Sequence, residues 1–520
     1  PRRPARAPRL PPAPRAGRRP GPGAPPCPRL ESNQHSFRNR ILSPARLPIP
    51  PRGLGARGPK GPNAGREDNN GGPSGKRKGP ARPVAGSALG GASGRGGPPG
   101  RATGGRRARV SADRRGYLRG MKLPRGNVLI GQSGGPTAVI NQSLVGIIEG
   151  CLGQAPVENV WGAVHGIRGV LEDDLIDLGR ESRETLEEVA WTPAAALRSV
   201  RKKPTREECE RLVECFQRRN VRYFFYIGGN DSAETAFVLN EVAVARGYDL
   251  RLFHVPKTID NDLRVTDHCP GYASAAKFVA QAFMGDNEDN RSLPGIKVDV
   301  VMGRHAGWLT AASALARLHP DDGPHLIYVP ERTFDVPAFL RDVEAVYKRL
   351  GRCLVAVSEG IHGPGGELLV SGDEKDSHGN VQLSGSGALG DFLAAAIKRG
   401  LGEKLRVRAD TFGYLQRSFA GVVSDVDAHE AREVGRAAAR TALSGEHPHG
   451  SIYIDRDGSG PHYRVHYGVT HLANVAKHTR DLDEAYLDGN TDVSAAFIDY
   501  LRPLVGALPR SGRLKGFKVH

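Results

Sequence analysis

The stretch NVLIGQSGGPTAVINQSLVGII (residues 127–148) decides the fold. Its first four residues are mostly apolar and bounded by polar or glycine positions, which predicts a short buried strand over 127–130. After the glycine turn GQSGGPT (131–137), apolar residues recur at the i, i+4, i+7, i+8 spacing of one helix face. These residues are Ile140, Leu144, Ile147 and Ile148. A strand, a turn and a helix in this order indicate a parallel α/β sheet.

Five further apolar runs have the same surroundings, because each ends in Gly, Pro or polar residues and then meets a helix-like segment. They are FFYI (224–227), LFHV (252–255), VDVV (298–301), HLIYV (325–329) and CLVAV (353–357). This alternation predicts an α/β fold with a doubly wound parallel sheet and helices on both faces. Ligands of such sheets bind at the carboxyl ends of the strands, so the loops after the strands are the candidate sites.

One of these loops lies within HVPKTIDND (254–262). If the segment stays extended after Pro256, Asp260 and Asp262 project to the same side, since side chains in a strand repeat every two residues. Two such carboxylates repel each other unless a cation or a reacting proton lies between them, and Lys257 lies three residues upstream of Asp260. Taken alone, the nonapeptide is more typical of a polar turn, so the other loops must decide.

Three other strand-end loops carry related chemistry: GQSGGPT, GGNDS (228–232) and MGRHAGW (302–308). Gly134 and Gly135 allow backbone N–H groups to approach an anion closely, and Arg304 supplies a cation. Each loop alone also fits a tight turn, a surface ion pair or a buried imidazole. Together at one crevice, amide donors, cations and carboxylates suit phosphoryl transfer, which requires stabilisation of spread negative charge and one base.

The formal net charge of +18 is unevenly distributed along the chain. Residues 1–120 carry 27 Lys and Arg against 4 Asp and Glu, whereas the remainder carries 47 against 52. The first part is rich in Pro, Arg, Gly and Ala and lacks apolar periodicity, which predicts disorder. It could bind nucleic acid or anionic lipid, act as an organelle address, or be out-of-place sequence ahead of a start at Met121. We expect the last of these.

The six cysteines are spaced unlike the ligands of a metal site, which favours structural thiols in a reducing compartment. They are Cys27, Cys151, Cys209, Cys215, Cys269 and Cys353. No apolar run approaches the roughly 18 residues of a membrane span, and no signal-peptide core is evident. We therefore expect a soluble, cytoplasmic body that contacts no membrane, and no nucleic-acid binding by its mildly acidic folded part.

At its glycine-rich and acidic loops the sequence resembles the phosphofructokinase family. The ordered motifs are GQSGGPTAVIN, GGNDS, PKTIDND, MGRHAGW, VPER (329–332) and GYLQR (413–417), and the agreement covers most of 127 to about 505. The resemblance implies two similar doubly wound α/β domains with the active site in the cleft between them. The expected limits are a disordered tail over 1–120, a phosphoryl-donor domain over 121–268 that includes part of 419–490, a sugar-phosphate domain over 269–418 and a C-terminal segment over 491–520.

The resemblance also implies roles for single residues. Asp260 would be the general base that takes the proton of the sugar's 1-hydroxyl, with Asp262 beside the same hydroxyl. Thr258 would bind at the transferring phosphoryl group, and Arg304 would screen its charge. Gly135, Arg201, Asp231, Ser232 and Lys257 would hold the donor. Besides Thr258, Asp260, Asp262 and Arg304, the sugar phosphate would be bound by Met302, Gly303, Glu331, Arg408, Tyr414 and Arg417. Arg408 comes from a neighbouring subunit in that family, which implies a homo-oligomer, either a dimer or a tetramer.

Several positions bear on the phosphoryl donor and its metal ion. Asp231 stands where ATP-using relatives have a small Gly that leaves room for the α-phosphate of the nucleotide. Lys257 replaces the Gly that is common in ATP-only bacterial relatives, and Tyr414 stands where many ATP users have His. Together these positions resemble the pyrophosphate-dependent subgroup. Asn230 replaces an Asp that helps to hold Mg²⁺ in most relatives, so the expected cofactor is Mg²⁺ held by Asn230 and Asp231.

The resemblance therefore implies reversible transfer from pyrophosphate to the 1-hydroxyl of fructose 6-phosphate, giving fructose 1,6-bisphosphate and phosphate in glycolysis or gluconeogenesis. An ATP-dependent 6-phosphofructokinase is the alternative within the same family. A protein that binds nucleic acid or an anionic surface through its basic tail is the alternative of another class. A catalytically dead subunit is disfavoured, because Asp260, Asp262 and Arg304 are all present.

Overall fold

The strand–turn–helix unit predicted near the start of the folded part is present in the computed structural model. The structure describes residues 123–370 and 385–519, so the expectations for residues 1–120 lie outside the described residues. The first strand, β1 (Gly126–Gln132), is buried along its whole length. Helix α1 (Ile140–Cys151) follows the glycine turn and buries the predicted apolar stripe against the sheet.

A seven-stranded sheet forms around this first strand. Its strands are β1, β2 (Val157–Ala163), β3 (Leu175–Asp177), β4 (Val221–Gly228), β5 (Arg251–Pro256), β10 (His449–Asp457) and β11 (Arg464–Thr470). They lie in the order β11-β10-β5-β4-β1-β2-β3. The five central strands are parallel, as predicted, whereas β3 and β11 pair antiparallel at the two edges. The sheet is therefore mixed and not purely parallel.

A second sheet of four parallel strands contains the remaining predicted runs. Its strands are β6 (Ile296–Val301), β7 (Leu326–Tyr328), β8 (Cys353–Ser358) and β9 (Val407–Thr411). They lie in the order β7-β8-β6-β9. A short antiparallel pair, β12 (Leu487–Asp488) and β13 (Asp492–Val493), lies apart from both sheets in the strand pairing. The α/β fold class is thus confirmed, while the domain limits stay a prediction.

Helices connect the strands and cover the sheets. The first six are α1, α2 (Ile167–Glu172), α3 (Arg183–Trp191), α4 (Arg206–Arg218), α5 (Asn230–Ala245) and α6 (Tyr272–Ser292). The others are α7 (Trp308–Ala312), α8 (Val336–Leu350), α9 (Ala388–Leu401), α10 (Asp425–Ser444) and α11 (Ala495–Val505). In the described part of the chain, none of the helices is both long enough and apolar enough to span a membrane.

The central strand β4 shows how one sheet supports a core on each face. Tyr223, Phe225 and Ile227 pack in one apolar cluster with α1 and α10, whereas Phe224 and Tyr226 pack in another with α4 and α5. This division follows from the strand geometry, because successive side chains point to opposite faces. A run that is apolar at every position is therefore what a doubly covered strand requires.

The chain returns to the first sheet late in its sequence. Strand β10 pairs in parallel with β5, and helix α10 lies against α1. The two helices approach closely at glycines: a methyl group on Gly146 would overlap the backbone carbonyl of Arg432, and one on Gly150 would lie 2.5 Å from the Cβ of Ala439. The small residues therefore set the distance between these helices.

Replacement of Gly146 by alanine tests this close contact. The added methyl group meets backbone and not a flexible side chain, so α1 and α10 must move apart. We expect Gly146→Ala to lower the free energy of unfolding by roughly 1–3 kcal/mol, the usual cost of overpacking. Urea unfolding monitored by circular dichroism measures the change.

Gly285→Ala is the matched control, because Gly285 also lies inside a helix, α6, but has open space where its Cβ would stand. Alanine favours helix over glycine by up to about 1 kcal/mol, so this variant should be as stable as the parent or more stable. Equal stability of the two variants would contradict the assigned close contact.

Candidate active site

The carboxyl ends of strands from both sheets face one cavity of about 360 Å³. Loops after β1, β4 and β5 form one side of its wall, and loops after β6 and β8 contribute the other. The wall consists of Ser133, Gly134, Gly135, Pro136, Val200, Arg201, Lys202, Gly229, Asn230, Asp231, Ser232, Lys257, Thr258, Ile259, Asp260, Asp262, Met302, Arg304, His305, Glu359, Tyr414, Arg417 and Thr479. The convergence of strand-end loops follows from the sheet topology.

The glycine loop after β1 is tied to the rest of the wall through its backbone. Gly134 has a left-handed backbone (φ 76°), and a Cβ there would lie 3.2 Å from Nζ of Lys257. The Lys257 ammonium donates to the carbonyl of Gly135 over 2.7 Å, and the Ser199 hydroxyl donates to the carbonyl of Gly134 over 2.6 Å. Glycine suits this position, because it adopts the left-handed conformation without strain and leaves room for the lysine.

The GGNDS loop opens helix α5 at Asn230, so the amino terminus of a long helix faces the cavity. Backbone N–H groups at such a terminus favour an anion. His254 contacts the backbone of this loop. Its ring is fully buried between the Gly228 carbonyl (2.9 Å from Nε2) and the Ser451 hydroxyl (2.8 Å from Nδ1). Burial lowers the pKa of His254 to about 4, so this imidazole is neutral.

The acidic loop, residues 257–262, does not stay extended after Pro256, which was the condition for strand alternation to place its two carboxylates on one side. Strand β5 ends at Pro256, and Asn261 adopts a left-handed conformation (φ 57°). The reversal at Asn261 brings Asp260 and Asp262 to the same cavity by a turn and not by strand alternation. Asparagine tolerates this conformation better than most residues.

Polar contacts fix both carboxylates. The backbone N–H of Asp260 donates to the Thr258 hydroxyl over 3.1 Å, and that hydroxyl lies 3.4 Å from Oδ2 of Asp260. The side-chain amide of Asn230 donates to Oδ2 of Asp262 over 2.9 Å. Asn230 thereby connects the GGNDS loop to the acidic loop. Its Oδ1 is buried and has no hydrogen-bond partner among the residues that the structure describes.

Burial perturbs the charged groups of this wall strongly. Burial, together with the charges of Arg417 and Arg201 and against the opposite effect of Asp260 and Asp262, lowers the pKa of Lys257 to about 7. Burial, followed by the charge of Asp260, raises the pKa of Asp262 to about 7. A lysine and a carboxylate that both titrate near neutral pH are typical of functional sites.

Arginines add positive charge to the same wall. Arg417 lies 4.5 Å over the ring of Tyr414, and burial followed by the charge of Arg201 lowers its pKa from the usual range. Arg201 and Arg304 also face the cavity. This accumulation of cations beside amide donors is suited to a ligand with several phosphate charges.

The cavity contains most of the residues predicted for the site, but three of them lie off its wall. Gly303 lies next to the wall and accepts a 2.6 Å hydrogen bond from Ser358 through its carbonyl. Glu331 instead accepts the backbone N–H groups of Gly307 and Leu482. Arg408 is exposed on the edge strand β9.

Other wall residues were missed by sequence reasoning. Glu359 directly follows strand β8. It supplies a carboxylate to the part of the wall that the loops of the second sheet form. The rule that ligands bind after parallel strands could have identified it, because CLVAV was already predicted as a strand. Ser133 and Lys202 flank residues that were predicted, whereas Thr479 comes from a distant segment without a local signal.

Comparison with known proteins identifies the same family that the sequence motifs resemble. A sequence profile of the family described as Phosphofructokinase matches residues 127–442. The chain is similar to a Rhodospirillum rubrum protein named pyrophosphate--fructose 6-phosphate 1-phosphotransferase, with 52% identity over 401 residues, 76% of this chain and 98% of that protein. A Xanthomonas campestris pv. campestris protein of the same name is 41% identical over 377 residues, 70% of this chain and 88% of that protein.

A solved structure is also similar. The pyrophosphate-dependent phosphofructokinase from Nitrosospira multiformis matches with a TM-score of 0.65 at 34% identity, over 75% of this chain and 94% of that one. The matched family segment contains every residue of the cavity wall except Thr479.

The buried lysine generates a prediction about stability and pH. With a folded-state pKa of about 7 against a usual value of 10.5, Lys257 binds its proton less readily in the folded protein than in the unfolded chain. The destabilisation is complete below pH 7 and disappears as the pH rises from 7 to 10.5. Lys257→Met should therefore gain stability over the parent at pH 6, by up to roughly 5 kcal/mol, and lose this advantage toward pH 10.

Thermal unfolding of parent and variant across this pH range measures the difference. Lys348→Met is the control, because Lys348 is exposed on α8 and forms an ion pair with Glu344 one turn earlier. Its stability difference should stay within about 0.5 kcal/mol at every pH. A Lys257→Met difference that is constant or grows with pH would contradict the assigned burial of the charge.

Proposed function

The chain belongs to the phosphofructokinase family, and we propose that it transfers a phosphoryl group from pyrophosphate to the 1-hydroxyl of fructose 6-phosphate, giving fructose 1,6-bisphosphate and phosphate. The observation that carries this proposal is the meeting of Lys257, Asp260 and Asp262 with three arginines in one cavity. Because phosphate and not ADP is the second product, the reaction is reversible and serves both glycolysis and gluconeogenesis.

Asp260 is proposed as the base that accepts the proton of the attacking hydroxyl. Its backbone N–H donates to the Thr258 hydroxyl, and its carboxylate accepts from the same hydroxyl over 3.4 Å. Thr258 and Arg304 lie on the same wall. Thr258 is proposed to bind the transferring phosphoryl group, and Arg304 to stabilise the negative charge that spreads over its oxygens. Asp262, which is linked to Asn230, lies near the same hydroxyl.

The donor end favours a short anion. Lys257 contacts the glycine loop directly, and its charge is restored when a phosphate anion binds beside it. Gly135, Arg201 and Ser232 complete the proposed donor site with Asp231. At about 4 Å, the Asp231 carboxylate repels a third phosphate by about 4 kcal/mol at an effective dielectric constant near 20. That energy corresponds to more than a hundredfold preference against a nucleotide.

The sugar end is proposed to consist of Met302, Gly303, Tyr414 and Arg417, where the guanidinium stacked on Tyr414 binds the 6-phosphate. Glu359 is the carboxylate on that wall, so we assign to it the sugar contact first expected of Glu331.

A second subunit is proposed to complete this sugar end. Arg408 lies exposed on an edge strand away from the cavity of its own chain, which suits a residue that reaches the site of a neighbouring subunit. We therefore propose a homo-oligomer, and a cytoplasmic location in keeping with glycolysis.

The residues near the donor end also fit Mg²⁺. Oδ1 of Asn230 is buried and has no hydrogen-bond partner among the described residues, and the next residue in the chain, Asp231, supplies a carboxylate. Hard oxygen atoms of this kind are the ligands that Mg²⁺ prefers. Bound Mg²⁺ would neutralise charge on the phosphate oxygens. Asn230 and Asp231 are the residues proposed to hold it.

A comparison of phosphoryl donors tests the proposed function. Purified protein with fructose 6-phosphate and Mg²⁺ should use pyrophosphate at least roughly a hundredfold better than ATP, judged by kcat/KM. Fructose 1,6-bisphosphate formation is measured by a coupled assay. A preference for ATP at equal concentration would favour the ATP-dependent alternative.

Two substitutions at Asp231 separate its charge from its size. Asp231→Asn removes the charge and keeps the size, whereas Asp231→Gly also opens space. At saturating Mg²⁺, the ratio of kcat/KM for ATP to kcat/KM for pyrophosphate should therefore rise in both variants, and further in the glycine variant. Unchanged ATP use in both variants would show that another feature excludes the nucleotide.

Replacement of the proposed base gives an independent prediction. Asp260→Asn keeps the size of the side chain but cannot accept the proton, so turnover should fall by roughly 10² to 10⁴. The exposed Asp455 on β10 provides the control, and Asp455→Asn should keep parental turnover. Parental turnover in Asp260→Asn, with unchanged thermal unfolding, would remove Asp260 from the role of base.

A further inference from the structure

The segment 479–482 lies between the acidic loop and the second half of the cavity wall. Thr479 is on the wall and forms an isolated antiparallel bridge with Leu263. The segment lies beyond residues 127–442, which the family profile matches. Its contacts are therefore specified by a part of the sequence that carries none of the motifs discussed above.

Arg480 bonds to the acidic loop at four places. Its backbone N–H donates to the carbonyl of Asp262 over 2.8 Å. Its guanidinium donates to the carbonyls of Asn261 over 2.8 Å, Thr266 over 2.7 Å and Asp267 over 2.8 Å. A single residue thus satisfies backbone acceptors across the whole turn that follows Asp260, groups that would otherwise be costly to bury.

The loop held in this way is strained. Asn261 and Val265 both have left-handed backbones, with φ of 57° and 76°. For a β-branched residue such as Val265 this conformation is rare, and it persists only where surrounding contacts enforce it. Asn261 separates Asp260 from Asp262, so the conformation of this one residue decides whether both carboxylates face the cavity.

Arg480 and its segment also contact residues that follow strands of the second sheet. Its guanidinium lies 4.7 Å over the ring of Trp308, and the Trp308 indole donates to the Arg480 carbonyl over 3.5 Å. Two residues further along, the Leu482 N–H donates to Glu331 over 2.8 Å. Trp308 and Glu331 both belong to motifs that follow strands of the second sheet. Arg480 is therefore held in place independently of the loop that it binds.

We propose that Arg480 is a positioning residue for phosphoryl transfer, which holds the strained turn at Asn261 so that Asp260 meets the attacking hydroxyl. This inference rests on the proposed function. It does not require Arg480 to touch a substrate, because Arg480 is absent from the cavity wall. A misplaced base loses rate even when both substrates still bind.

The first test separates turnover from binding. Arg480→Met should lower kcat for pyrophosphate and fructose 6-phosphate roughly 10²-fold, with each KM within about threefold of the parent. Arg480→Lys keeps the charge but cannot reach three carbonyls at once, so its kcat should also fall, by roughly tenfold. Should the methionine variant fail to fold, the lysine variant decides the question with the same readouts. Parental kcat in a folded variant would overturn the proposal.

Arg317 supplies a matched control. Like Arg480, it donates to a backbone carbonyl, with Nε 2.6 Å from the Pro324 oxygen, and it donates in addition to Asp492, with Nη1 2.8 Å from the carboxylate. It is absent from the cavity wall. Arg317→Met should lower the unfolding temperature without changing kcat. An equal loss of kcat in both arginine variants would show that Arg480 acts only through general stability.

A measurement without substrates keeps this inference distinct from the proposed function. Amide hydrogen exchange of residues 258–269 should be at least roughly tenfold faster in Arg480→Lys than in the parent, while peptides of β1 and β4 stay unchanged. Unchanged exchange in residues 258–269 would overturn the positioning role. An inactive parent protein with normal protection of this loop would instead refute the proposed function alone.

Discussion

The site depends on the confinement of opposite charges at the carboxyl edge of the first sheet. Lys257 lies buried against the glycine loop, opposite Asp260 and Asp262, and its pKa falls to about 7 while that of Asp262 rises to about 7. Such a group of charges costs folding free energy, which the apolar cores on both sheet faces must offset. Without that rigid support the charges would separate and regain their hydration. The fold therefore maintains an arrangement that is unfavourable until an anionic ligand completes it.

Much of this arrangement was predictable because it obeys simple periodicities. Buried parallel strands are short apolar runs, and their carboxyl ends share an edge, so the loops after β1, β4, β5 and β6 could be grouped from sequence alone. Strand β10 and the edge strand β11 were not predicted, because exposed or half-buried positions interrupt the buried ones in β10 and make up all of β11, which leaves no such run. Whether the segment stays extended after Pro256 could not be decided from the sequence, since a left-handed asparagine at 261 follows from tertiary contacts and not from local pattern.

Two errors of the sequence-based prediction, the choice of Glu331 over Glu359 and the omission of Arg480, have a common physical reason. Glu331 and Glu359 both follow apolar runs of the second half, and only the three-dimensional path shows that Glu359 reaches the cavity while Glu331 accepts backbone N–H groups. Arg480 lies more than 210 residues after the carbonyls that it binds. A contact of that separation leaves no trace in hydrophobic periodicity. The site thus combines loops that can be identified in the sequence with supporting contacts, such as those of Arg480, that only the folded structure shows.

The late return of the chain to its first sheet has a consequence during synthesis. Strand β5 pairs with β10, whose residues leave the ribosome almost 200 positions later. Until then β5 presents an unpaired flank, and helix α1 lacks the partner that covers its glycines. The nascent amino-terminal half is thus exposed to aggregation for roughly 10–40 s at ordinary elongation rates. A chaperone that covers the open flank of β5 during this interval would reduce aggregation of the nascent chain.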